Sequence, residues 1–464
     1  MINKSLIKTS VLIRVNPWTL FLIVFFVFPI YAQQDIEASR MAVIKYGTET
    51  EIAALVQTLR SEKADYLDDE LIALADNTRN QRILSGLFSF FGEREKSGLE
   101  QRAMRVVTER DDEANETVFS AVDYLGKLKI PEAVPILMEL LDSRERRFMN
   151  VAFRAVGSAS SSDKTKADET AKFLVDFYTN RDPGDDNRRD VISSIGLTGS
   201  TIGIPLLTEI AGNNDERITL RIAALDALSK IGDDEGLAAI IGCVSVADPN
   251  VRSAAVAALG PFSGEAVDNA ILEAFRDSYY RTRIAACQAS RQRKLAAAVP
   301  FLKFRAERDE VANVKDEAIR ALGAIANEEA MEALESFFKE RKNSDRVRLA
   351  AGEMLMKNEA DKFLSRIIIE LDEAKLKNQT ALYNGFLKIT GETKITGEAE
   401  GVLIGITRRF LQSGGVIEKL YGLDMAANNG LSSLSEEIKA LLKERNESIA
   451  RRARITAEKL GIEI

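Results

Sequence analysis

Asp248-Pro-Asn-Val-Arg252-Ser-Ala-Ala255-Val-Ala-Ala-Leu-Gly260 is the stretch on which the fold turns. Taking Gly260 as a reference slot, Ala255, Val256 and Leu259 stand five, four and one positions before it. Residues three and four apart share a helical face, so these three form one apolar stripe. A small residue in that stripe lets a second helix approach closely, and the flanking aliphatics fill the remaining space. Gly260 itself suits a helix end in the left-handed conformation.

The slot recurs at Gly126, Gly157, Gly196, Ser229, Gly260, Arg291, Gly323 and Met356, at spacings of 31, 39, 33, 31, 31, 32 and 33 residues. Five positions earlier stand Ala121, Ala152, Val191, Ala224, Ala255, Ala286, Ala318 and Ala351. Eleven positions later come Leu137, Leu207, Ile240, Ile271, Leu302, Leu334 and Ile367, the apolar positions of a second helix. Pro135, Pro205 and Pro300 fall in that helix's first turn, where a missing N–H costs nothing. The long interval contains the polar segment 158–164, which reads as a loop insertion. Each unit is thus a helix–turn–helix too small to bury its own apolar face until neighbours stack on it. The fold class is all-α, an α-solenoid of antiparallel helix hairpins.

Eight positions before the slot, six consecutive units carry a cation: Arg188, Arg221, Arg252, Arg283, Lys315 and Arg348. Spacing tied to the repeat is what architecture imposes. The row therefore reads as a structural inter-repeat ladder of charged hydrogen bonds to turn carbonyls and carboxylates, in preference to a row of ligand-facing cations.

Segments such as 248–260 and Val314-Lys-Asp-Glu-Ala-Ile-Arg-Ala-Leu-Gly-Ala-Ile325 resemble HEAT repeats. The short period is similar to the bilin-lyase type of HEAT-like repeat. The resemblance is clear over 118–372. Residues 38–117 read as divergent N-terminal hairpins, with helices near 51–60, 66–75, 80–91 and 98–107. Residues 373–464 read as divergent capping repeats ending in 435–443 and 449–460. One continuous solenoid over 33–464 is the expected organisation.

Residues 1–32 have the form of a secretory signal. Lys4, Lys8 and Arg14 precede the apolar run Trp18–Ile30, and Ala32 offers a small residue before Gln33. The run is 13 residues, against the roughly 18–20 needed to span a bilayer core. A chain exported to the periplasm or cell envelope is expected, with no membrane insertion once cleaved at Ala32/Gln33. An uncleaved leader would make it a membrane-anchored assembly factor.

Cys243 and Cys287 are the only cysteines. Cys243 falls late in one second helix and Cys287 in the first helix two repeats on. Repeats stacked about 10 Å apart hold them beyond the roughly 4.4–6.8 Å Cα spacing of a disulfide, so buried free thiols are expected.

The chain contains no histidine and has a formal charge of −8. That excludes histidine zinc sites and Ser–His or Cys–His nucleophile pairs. The acidic balance argues against a nucleic-acid partner, and Arg451, Arg452 and Arg454 read as a solvated last helix. No phosphate loop, nucleophile elbow or calcium loop occurs. Asp68/Asp69, Asp185/Asp186 and Asp233/Asp234 read as solvent-exposed loop pairs. No catalytic residue, metal or cofactor is assigned. The expected function is a non-catalytic scaffold binding a protein or peptide on the solenoid surface. A lyase-like activity is the reading that the bilin-lyase resemblance alone would imply.

Overall fold

Each slot of the sequence pattern closes a first helix and is followed by a second. In the computed structural model, which describes residues 36–181, 183–395 and 399–463, the first helices run Asn115–Lys127, Met149–Ser160, Arg188–Thr198, Ile218–Ile231, Pro249–Ala258, Tyr280–Arg293 and Ala312–Ile325. The second helices run Val134–Asp142, Lys164–Thr179, Ile204–Gly212, Asp234–Cys243, Glu265–Ala274, Val299–Arg308 and Glu328–Lys339. The eighth hairpin is a single element, Asp345–Leu376, broken at Glu359 (φ −140°, ψ 56°), so its turn is one residue long. No strand occurs among the described residues, and the chain is an all-α solenoid. The leader 1–32 and the Ala32–Gln33 junction lie outside the described residues.

The described chain divides into two compact units, one reaching Ala155 and the other starting at Val156. The first unit adds the helix 36–46 and the helices Glu49–Glu62, Asp68–Asn77, Gln81–Glu93 and Glu100–Thr108. The second adds Thr380–Glu392, Glu400–Leu411, Val416–Asn429, Ser435–Leu441 and Glu447–Lys459.

The repeat pattern maps directly onto burial. Ala121, Ala152, Val191, Ala224, Ala255, Ala286, Ala318 and Ala351 are all fully buried, as are Leu137, Leu207, Ile240, Ile271, Leu302, Leu334 and Ile367. Burying one such aliphatic side chain is worth about 1.5–3 kcal/mol. Pro135, Pro205 and Pro300 each sit in the first turn of a second helix, after a short 3-10 turn.

The slot glycines do not end their helices in the left-handed conformation. That conformation falls three positions later, at Lys129, Gly199, Gly232, Lys294 and Ala326, with φ between 49° and 70°. The slot glycine instead removes a side chain where the next first helix crosses. A Cβ on Gly126 would lie 2.7 Å from Ala155 Cα, one on Gly157 2.6 Å from the Ser194 carbonyl oxygen, and one on Gly196 2.6 Å from Ala227 Cα. In each case the contact is the residue two before the next slot.

At Ala326 the left-handed cap (φ 50°) closes on the Leu322 carbonyl at 2.9 Å. A Cβ in this conformation costs roughly 1 kcal/mol that glycine avoids. Ala326→Gly is therefore expected to raise unfolding free energy by about 1 kcal/mol, read from urea denaturation. An unchanged or lowered midpoint would contradict the cap assignment.

The segment 158–164 is not a loop insertion. Residues 158–160 finish the first helix, and Asp163 caps the next by accepting from the Lys166 amide at 3.0 Å. The extra length goes into a 16-residue second helix, Lys164–Thr179, and the connection after it. A serine-rich run terminates and restarts helices as readily as it forms a loop, because its hydroxyls compete for backbone groups.

Candidate interaction surface

Four of the six cations of the row reach backbone and carboxylate groups in two recurring geometries. Arg252 Nη1 donates to the Val246 and Ala247 carbonyls at 3.0 and 2.8 Å, and Arg283 Nη1 to those of Asp277 and Ser278 at 3.0 and 3.1 Å. Arg252 also grips Asp277 with Nε and Nη2 at 2.8 and 3.1 Å, and Arg283 grips Asp309 at 2.7 and 2.8 Å. Asp277 is thus shared by two successive arginines, its carboxylate by one and its carbonyl by the next. Burial alone pushes the Asp309 carboxyl up. Hydrogen bonds from Arg283 and the Val311 amide, with the charges of Arg283 and Arg305, outweigh it and hold the group below the usual carboxylate range.

In the second geometry, Arg221 and Arg348 turn Nε back to the carbonyl ten residues earlier, Ala211 at 3.0 Å and Phe338 at 3.1 Å. Arg348 then pairs with Glu370. Glu370 and Cys243 each stand fourteen positions after their slots, so Cys243 occupies the place of that carboxylate. Arg221 is buried and its Nη2 makes no hydrogen bond among the described residues. Lys315 donates to the Glu307 carbonyl at 3.0 Å, and Arg188 lies 4.0 Å from Asp185 and over the Tyr178 ring.

Cys243 and Cys287 are buried free thiols. Burial pushes both up, against the opposing charge of Arg221 at Cys243. A carboxylate at position 243 would meet Arg221 Nη2. Cys243→Glu is expected to stabilise by about 1 kcal/mol, the order of relieving a buried unsatisfied donor. Cys287→Glu, placed near the carboxylates of Glu317 and Asp309, is expected to destabilise. Thermal midpoints moving in the same direction for both variants would refute this.

The acidic pairs are not uniformly solvent-exposed loop residues. Asp68 lies in the first turn of Asp68–Asn77, paired with Arg94 at 2.7 Å and Lys96 at 3.1 Å. Asp233 caps Asp234–Cys243 by accepting from the Glu235 amide at 2.9 Å. Asp185 is exposed, 3.2 Å from Arg217.

The second helices of the Val156–Ile464 unit leave apolar side chains on their outer face. Phe304 is 54% exposed and Ile369 65%, both thirteen positions after their slots. Ile241, Leu272 and Ile368, one position earlier in the repeat, are half-buried. Phe304 is embedded in charge and aromatic surface. Arg305 lies over its ring at 5.3 Å, and the neighbouring Phe301 stacks on Phe275 at 5.6 Å beneath Arg276. Residues 276–308 carry nine Lys or Arg and two Asp or Glu, in a chain whose formal charge is −8. Charge averaged over the whole chain conceals this basic unit, whereas charge counted per repeat displays it. Beside it, a groove of about 770 Å³ is lined by Glu328, Met331, Glu332, Glu335, Lys339 and Lys362. Its lysines are paired locally, Lys339 with Glu335 at 2.5 Å and Lys362 with Glu359 at 3.1 Å.

A family model described as spirochaete HEAT repeat protein matches residues 44–456, nearly the whole chain. The chain belongs to the spirochaete HEAT-repeat protein family. Among solved structures, this HEAT-repeat protein is similar to Kap121p, with 12% identity and a TM-score of 0.45 over 91% of this chain and 53% of Kap121p. It is likewise similar to Kap121p bound to Pho4p, at 13% identity and a TM-score of 0.44 over 91% and 53%. The YibA protein of E. coli aligns with 66% of this chain and 96% of its own at 18% identity, with a TM-score of 0.31. The chain spans about half the length of the Kap121p chains it matches. A search of curated proteins gives no match. Among the described residues of this HEAT-repeat protein no group of three or more metal-ligating side chains converges, and no helix is long and apolar enough to cross a membrane.

Proposed function

We propose that the chain is a non-catalytic scaffold of the periplasm or cell envelope that binds a protein or peptide on the outer face of its second helices. The observation that carries this reading is the exposure of Phe304 and Ile369 at one repeat position, flanked by half-buried aliphatics. Large apolar side chains held in register on a rigid helix array are what a docking partner covers. The cation row is proposed as scaffolding, since most of its guanidinium donors are taken up by carbonyls and carboxylates. Both thiols are buried and shifted away from the thiolate, which suits packing and not nucleophilic chemistry. The export part of the proposal rests on the leader-like residues 1–32.

The test places a photo-crosslinking side chain at position 304 and, as a control, at Asp226 on an exposed first-helix face. A reproducible protein adduct from 304 but not 226 is expected. No adduct from either would remove the scaffold reading. N-terminal sequencing of the mature protein separates a cleaved from an anchored form: a start at Gln33 removes the anchor, and a retained leader favours the membrane-anchored assembly factor.

A further inference from the structure

We infer that the repeat 276–308 is a docking site for an acidic peptide segment carrying apolar side chains among its carboxylates. The inference rests on the scaffold reading above and names the partner's chemistry and its seat.

Two observations converge on the helix Val299–Arg308. Phe304 presents an exposed ring, and Lys303 and Arg308 beside it are exposed. Neither Lys303 nor Arg308 makes an ion pair among the described residues, and Lys303 feels a carboxylate only at a distance, that of Glu340. Arg276 lies over the Phe301 ring nearby, but its charge is already met by Glu273 and it adds nothing to this surface.

The positive area is narrow. On one side the helix Glu265–Ala274 exposes Glu265 and Glu273, and on the other Glu328–Lys339 exposes Glu328, Glu329 and Glu332. Nucleic acid presents a charge about every 1.7 Å of duplex axis and needs a continuous basic track. Running across these helices, it would meet the carboxylates within one repeat. A short peptide can place carboxylates on Lys303 and Arg308 and an apolar side chain on Phe304 without extending further. Oppositely charged rims raise the association rate and fix register, while the buried aromatic contact supplies most of the affinity.

The experiment titrates the full mature chain into a short fluorescein-labelled peptide in which leucine alternates with aspartate, followed by anisotropy. Saturable binding that strengthens as salt falls is expected. Lys303→Glu combined with Arg308→Glu should weaken it by roughly tenfold or more, and Phe304→Ser by roughly tenfold. Lys172→Glu, one such charge reversal at an exposed position of another helix, should leave it unchanged. All four positions are exposed, and equal thermal midpoints confirm that folding is intact. No binding, or binding that these substitutions at 303, 304 and 308 leave unaltered, overturns the proposal. A labelled single-stranded oligothymidine that binds with the same variant dependence overturns it in favour of a nucleic-acid partner. A crosslinked protein partner at position 304 together with no acidic-peptide binding would keep the scaffold and reject only this charge reading.

Discussion

Asp309→Ala is expected to cost about 3–5 kcal/mol of unfolding free energy, the range seen when one partner of a buried ion pair is removed. The Asp309 side chain is fully buried and that of Arg283 is 6% exposed. The substitution therefore leaves a guanidinium in low dielectric with Nε and Nη2 unpaired. Arg283 cannot retreat to solvent, because Nη1 is committed to the Asp277 and Ser278 carbonyls. Adding Arg283→Met removes the stranded charge and should restore the larger part of the loss. It should not restore all of it, since those two carbonyls then lack a donor, at roughly 1–3 kcal/mol for unsatisfied buried groups. Urea denaturation of the two variants measures both numbers. A single-variant loss below that of the double variant would show that the pair is not the linchpin described.

The same site sets an acid limit. Asp309 and Asp277 both titrate below their ordinary value in the folded state, with burial opposing and arginine hydrogen bonds prevailing. Their folded pKa values lie below the unfolded value of about 3.9. The unfolded state then binds more protons between those two values, so stability falls as pH falls. The contribution is complete above about pH 4 and is lost through the lower folded pKa. Glu418 behaves alike in the C-terminal hairpins. Burial opposes, but Lys375, Tyr383 and Ser413 donate to it and hold it at about 2. Glu373 is also held at about 2, by Arg341 and Lys377, yet that pair faces solvent. Its shift is expected to weigh little in stability because exposed pairs are screened and cost side-chain entropy. Thermal midpoints of Asp309→Ala and the parent chain should converge below pH 4, whereas those of Glu373→Ala and the parent should stay close at every pH.

Much of this architecture is legible in residue chemistry because a repeat states the same requirement many times over. Seven alanines and one valine five before the slot are enough to register first helices without any structure, and all eight are buried. The register was not legible further toward the N-terminus, although it continues there. Gly92 packs against Tyr124 just as later slots pack on their neighbours. Its companions are Leu87, Phe88 and Phe91 in place of alanine and aliphatics. Large side chains hold those helices further apart, the Gly92 contact being 3.6 Å where that of Gly126 is 2.7 Å. The outer face of the second helices is less legible for a different reason. The buried slots are constrained by packing and therefore repeat, whereas the outer position thirteen after each slot is free to vary. It reads Glu139, Glu209, Gly242, Glu273, Phe304, Ser336 and Ile369 in the seven repeats other than the long second one, where Thr170 stands thirteen after the slot and is buried. Exposure of apolar side chains at that position is therefore visible only once the register is known.

Gly196→Ala is expected to destabilise, although glycine to alanine inside a helix ordinarily stabilises by about 0.5–1 kcal/mol. Gly196 lies in the interior of Arg188–Thr198 with ordinary helical backbone, so conformational freedom is not why glycine stands there. Its Cβ would fall 2.6 Å from Ala227 Cα, 2.7 Å from Ala227 Cβ and 3.2 Å from the Ala227 carbonyl oxygen. Those atoms belong to the backbone and first side-chain carbon of the next first helix, and no rotamer change can move them aside. The two helices must separate, loosening the buried row around Val191, Ile192, Leu225 and Leu228. Overpacking of this kind costs about 1–3 kcal/mol, larger than the propensity gain it opposes. Gly242→Ala is the internal control: Gly242 lies in the helix Asp234–Cys243 with nothing within 4 Å of its would-be Cβ, so there the ordinary gain of about 0.5–1 kcal/mol should appear. Opposite shifts in urea midpoint for the two variants are the expected result. A gain at both positions would mean that the first helices are not in the close contact on which the stacking of the repeats depends.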